Sequence, residues 1–76
     1  MRQAIYTIMR REPDRLWYVR EIREALYDYS KWCRRALGST QQVASILLRA
    51  PGVERVVLGG TPRHYQTVWR LFDEYK

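Results

Sequence analysis

Apolar positions recur along the chain with two periods, one helical and one of strands, and the switches between them outline the elements. Ala4, Ile5, Ile8 and Met9 fall at helical spacing within residues 2–12, and Pro13 stops that helix. Glu12-Pro13-Asp14-Arg15 reads as a turn, and Leu16-Trp17-Tyr18-Val19 is a short strand-like run of bulky residues. From Val19 the helical period returns, with Ile22, Ala25, Leu26 and Tyr29 on one face and Arg20, Arg23, Glu24 and Asp28 outside. Arg20 and Glu24 stand at i,i+4, a pair worth a few tenths of a kcal/mol that carries no functional signal.

Residues 28–38 admit two readings. Ser30 can cap a short helix that turns Trp32, Cys33, Ala36 and Leu37 inward and Lys31, Arg34 and Arg35 outward. The apolar series 22, 26, 29, 33, 37 can equally continue one long helix to Gly38, a good terminator. A break near Asp28–Ser30 is favoured, because Asp and Ser side chains compete with helix hydrogen bonds.

The next signal is sharper. Ser39 followed three residues later by Gln42 is a capping box, opening a helix over residues 40–50 that ends at Pro51-Gly52. Val43, Ile46, Leu47 and Ala50 form its buried stripe; Gln41, Ser45 and Arg49 form the opposite face, with Thr40 and Leu48 flanking. Residues 53–58 are a β-branched strand, residues 59–64 a Gly/Pro loop, and residues 65–71 an alternating strand, together a β-hairpin. The class expected is α+β: three helices (four if residues 30–37 form their own), a short strand near residues 16–19 and a C-terminal hairpin.

A length of 76 residues leaves room for one domain, residues 1–76, and ten aromatics supply much of its burial. Trp17, Trp32 and Trp69 are expected in the core or packed against the hairpin, in preference to the other role open to them, as base-stacking platforms. The longest uncharged run, residues 36–48, is interrupted by polar residues and falls short of the roughly 20 apolar residues that span a membrane. No secretory signal is visible, so a cytoplasmic protein with no membrane association is expected. A lone Cys33, read as a small core residue, suits a reducing compartment, and one Cys with one His cannot build a four-ligand zinc site.

Charge adds a direction. The net charge is +6, and residues 31–70 carry seven basic side chains against the single acid Glu54. Residues 1–30 are nearly balanced, with six basic and five acidic side chains. Twelve of the fourteen cations are arginine, whose guanidinium matches phosphate and guanine edges, although an Arg preference also follows from a GC-rich or thermophilic source.

With the stretches LWYVREIREAL (16–26), STQQVASILLRAPGVERVV (39–57) and GGTPRHYQTVWRL (59–71), the chain resembles the winged-helix (winged helix-turn-helix) DNA-binding domain, and most of all the small regulators of prokaryotes, archaea and their viruses. The 28–38 linker is longer than the usual turn of that motif. The resemblance implies double-stranded DNA as partner, a role in transcription regulation, and a recognition helix over residues 40–50 in the major groove. In that reading Gln41 bonds adenine, Ser39, Thr40 and Ser45 bond phosphate or base, and Arg49 reaches phosphate or guanine. Lys31, Arg34 and Arg35 clamp phosphates, and Arg63 and His64 at the tip of the 59–64 wing touch the backbone or minor groove.

Each of these residues has a plainer reading as solvated surface. Catalysis has little support: the one histidine stands on a loop tip, Glu21 and Glu24 are better explained by neighbouring arginines, and Gly59-Gly60-Thr61-Pro62 lacks the P-loop ending. No enzyme activity, cofactor, metal or small-molecule ligand is expected. The main rival is a winged-helix module for protein–protein contact, favoured only by Leu48 on the outer face. A weaker one is single-stranded nucleic acid held by tyrosines, whose spacing follows the core period. A homodimer is expected, with Tyr6, Phe72 and Tyr75 as its surface.

Overall fold

The computed structural model describes residues 2–59 and 66–76. Helix α1 (Arg2–Arg10) is followed by strand β1 (Trp17–Tyr18), helices α2 (Val19–Tyr29), α3 (Lys31–Ala36) and α4 (Thr40–Arg49), strands β2 (Val53–Leu58) and β3 (Gln66–Leu71), and a 3₁₀ turn (Asp73–Tyr75). The sheet is antiparallel in the order β1-β3-β2, with Trp17 opposite Trp69 and Val53 opposite Leu71. This is an α+β fold of three main helices with a hairpin and a short third strand, consistent with winged-helix topology.

Local chemistry accounts for the boundaries. α1 stops at Arg10, two residues before the expected end: the Arg11 and Glu12 N–H groups turn back to the Ile8 and Met9 carbonyls in i→i−3 bonds, and Pro13 disfavours helical backbone at Glu12. α2 opens where the Glu21 carboxylate accepts the Tyr18 N–H at 2.8 Å, meeting one of the donors that a helix start leaves without a partner. Ser30 both ends α2 and opens α3: its N–H bonds the Leu26 carbonyl, and its hydroxyl accepts from the Trp32 N–H. The break near residues 28–30 is therefore real, and α3 is a separate short helix. Gly59, at φ 117°, follows β2 in the left-handed region that glycine tolerates.

The core lies where Ile5, Ile8 and Met9 of α1, Ile22 and Leu26 of α2, and Val43 and Leu47 of α4 meet the inner face of the sheet at Trp69 and Leu71. Each such side chain contributes about 1.5–3 kcal/mol by leaving water. Tyr27, off the apolar stripe of α2, donates its hydroxyl to the Leu37 carbonyl and so ties α2 to the α3–α4 connection.

Three expectations are corrected. Trp32 is 62% exposed and Ala36 is also outside. With α3 starting at Lys31, the stripe that faces the core is Cys33 and Leu37; Trp32 and Ala36 lie about 100° around the helix from it. Tyr29, at the last turn of α2, is exposed with the Arg11 guanidinium 5.9 Å from its ring. Tyr6 is buried, not surface: its ring stacks on Tyr75 at 6.0 Å, Arg10 binds the Tyr75 carbonyl, and the Gly52 N–H donates to the Tyr6 hydroxyl. Of the three residues expected to form a dimer surface, Phe72 alone is largely exposed.

Candidate nucleic-acid interface

α4 is set by the capping box read from the sequence. The Ser39 hydroxyl accepts the Gln42 N–H at 3.3 Å, while the Gln42 amide oxygen accepts the Gly38 and Ser39 N–H groups. This use of Gln42 leaves its neighbour to face outward. Gln41, Ser45 and Arg49 are all exposed, one helical turn apart. Their spacing of four residues draws a line roughly 12 Å long on the helix surface, at about 1.5 Å per residue. Among the described residues none of the three side chains has a hydrogen-bond or ion-pair partner. Ser39 and Thr40 are half-buried at the start of the helix; the Ser39 hydroxyl accepts in the cap and keeps its hydrogen to donate.

Lys31, Arg34 and Arg35 are exposed on α3, as their outward positions required. Arg34 leans on Tyr27, its guanidinium carbon 5.8 Å from the ring centre. Arg63 and His64, with the rest of the loop tip, lie outside the described residues. The strands that carry the loop are described, and β3 begins at Gln66.

The acids are elsewhere. Neither α3 nor α4 contains a carboxylate. The ion pairs among the described residues join Arg15 to Glu12 and Glu21, Arg70 to Glu54, and Lys76 to Asp14 and Asp73. Arg15 also stacks 3.8 Å over the Trp17 ring. The Tyr18 N–H, followed by Arg15, holds the Glu21 carboxyl below its ordinary pKa. The expected Arg20–Glu24 pair is not among these ion pairs. None of the cations of α3 and α4 takes part in these ion pairs, whereas Arg15, Arg70 and Lys76 do.

Sequence reasoning missed Arg20. Pairing of β1 with β3 brings Tyr18 beside Gln66, whose side-chain oxygen accepts the Tyr18 hydroxyl at 2.7 Å. Tyr18, Val19, Arg20, Thr40, Gln66 and Thr67 then line an open groove of about 460 Å³ between the starts of α2 and α4 and the hairpin. The only signal of this in the sequence is tertiary: nothing in the α2 period marks Arg20 apart from other surface arginines. Among the described residues no group of three or more His, Cys, Asp or Glu side chains could hold a metal, and no helix is long and apolar enough to cross a membrane. Comparison of the chain with protein-family models, with curated proteins and with solved structures gives no match.

Proposed function

We propose that the protein is a winged-helix domain that binds double-stranded DNA in a sequence-specific way, as a small transcription regulator does. The observation that carries this reading is the line Gln41–Ser45–Arg49 on a helix free of carboxylates, together with three exposed cations on α3, which carries no carboxylate either. A B-form major groove, about 12 Å wide, admits an α-helix, and base edges there offer donors and acceptors to such side chains. Gln41 pairs with adenine, Arg49 with guanine or phosphate, and Ser39, Thr40 and Ser45 with phosphate or base. Lys31, Arg34, Arg35 and, across the groove, Arg20 neutralise phosphates on either side. Arg63 and His64 of the wing add backbone or minor-groove contacts.

One observation favours a second reading. Leu48, 61% exposed on the flank of the same face, suits a protein-docking surface. Fluorescence anisotropy with labelled duplex, across roughly 50 to 300 mM salt, separates the two. DNA binding gives a slope of log affinity against log salt of about −4 to −5 for four to six phosphate contacts. Absence of binding at low salt, or binding insensitive to salt, gives the docking module first place.

A further inference from the structure

We infer that Trp32 is a second point of contact for the bound nucleic acid, its indole packing on the sugar face of the backbone while Lys31 and Arg35 pair with the adjoining phosphates. The inference rests on the DNA-binding reading above and adds a residue and a mode of contact to it.

Trp32 is the odd member of its class. Trp17 and Trp69 are 5% and 3% exposed, Trp32 62%. Five other aromatic rings, those of Tyr6, Trp17, Tyr18, Tyr27 and Tyr29, each carry an arginine over their faces. Trp32 has three cations within three residues in sequence, yet among the described residues none covers it, and Arg34 is turned to Tyr27 instead. The Ser30 cap fixes where α3 starts and hence which way its faces point. Around the helix, Arg35 and Lys31 stand on one flank of the indole, and the exposed, small Ala36 stands on the other and leaves room for approach.

Charge selects the occupant. An apolar plate edged by cations, in a segment with no carboxylate, matches a strand in which apolar sugars alternate with phosphates. A second copy of this chain does not fit, since a two-fold contact sets the patch against itself and brings the same cations together. One exposed indole on a six-residue helix is too little apolar surface to seat on a lipid bilayer.

Because the other two tryptophans are buried, quenching of fluorescence by acrylamide reads Trp32. On adding a duplex of about 20 base pairs, roughly two helical turns, the expected result is a fall in quenching and a blue shift of emission. Trp32→Ala should weaken binding about three- to tenfold, towards the low end for an aromatic contact to nucleic acid, with Trp32→Phe between. Its salt slope should stay at the wild-type value, whereas Arg35→Ala should lower the slope by about 0.9. The Trp32→Ala unfolding midpoint should match wild type, which shows that the variant folds. A duplex complex that leaves Trp32 as open to quencher as before, or a Trp32→Ala variant of wild-type affinity, overturns the inference. If Gln41→Ala still alters affinity in that case, the DNA-binding reading stands without it. Shielding of Trp32 by anionic vesicles in place of duplex, or by raising protein concentration alone, overturns it too, and a protein that binds no duplex ends both.

Discussion

The ring of Tyr75 occupies the place where a side chain on Gly52 would begin: a β-carbon there would stand 2.3 Å from the ring. The Phe72 N–H donates to the Gly52 carbonyl at 3.0 Å, so the C-terminal turn is pinned at this glycine by backbone and ring together. Gly52→Ala should therefore cost about 1–3 kcal/mol by overpacking, seen as a lower denaturant midpoint at unchanged slope. In a Tyr75→Ala background the same substitution should cost much less, because the obstructing ring is gone. Equal costs in both backgrounds would show that the ring is not what excludes the side chain.

Tyr27 offers a second test, at the joint that orients α3 against α4. Tyr27→Phe removes the hydroxyl donated to the Leu37 carbonyl and should cost about 0.5–1.5 kcal/mol in chemical denaturation. Because Arg23 and Arg34 lie over the ring and not on the hydroxyl, their contacts survive in the variant. Tyr27→Leu should cost more than Tyr27→Phe for that reason, and a reversed order would place the stabilisation elsewhere.

A third concerns acid. The Glu21 carboxyl is held below the usual range, first by the Tyr18 N–H and then by Arg15. A carboxyl depressed by folding adds stability above its unfolded value of about 4.3 and loses it as pH falls through the lower folded value. Glu21→Gln should therefore be less stable than wild type near neutrality, with the gap closing as pH is lowered from about 5 to 3. A gap that stays constant over that interval would mean that the charge of Glu21 is not involved.

Much of this fold is legible in the sequence where a single local rule decides. Ser39 and Gln42 mark the start of α4 because a capping box needs only four consecutive residues. Strand β2 coincides with the β-branched run 53–58, and Ser30 breaks the helix where its hydroxyl can cap. For Trp32 hydrophobicity suggests burial, but a one- or two-turn helix buries only one narrow stripe, here Cys33 and Leu37. The roles of Arg20 and Tyr27 are not legible from the helical period, since strand pairing and the α3–α4 connection give them their neighbours. The outer face of α4 follows directly from the helical period, whereas Arg63 and His64 fall outside the described residues.

Specificity and charge should separate on mutation. Gln41→Ala should cost about 1–3 kcal/mol on the preferred duplex and flatten discrimination at one base position. Arg34→Ala combined with Arg35→Ala should weaken binding to preferred and random duplex alike and lower the salt slope by about 2. Binding competitions over a panel of single-base variants, repeated at several salt concentrations, read both effects. A uniform loss for Gln41→Ala would reduce that residue to a positioning contact.

Amide chemical-shift mapping of the isotope-labelled protein titrated with duplex DNA tests the central claim most directly, because it reports which face meets the nucleic acid. The expected result is a set of large shifts on Gln41, Ser45 and Arg49 of α4 and on Lys31 and Arg35 of α3, with α1 and the turn at Asp73–Tyr75 unmoved. Shifts concentrated on α1 and that turn, or none at low salt, would contradict it.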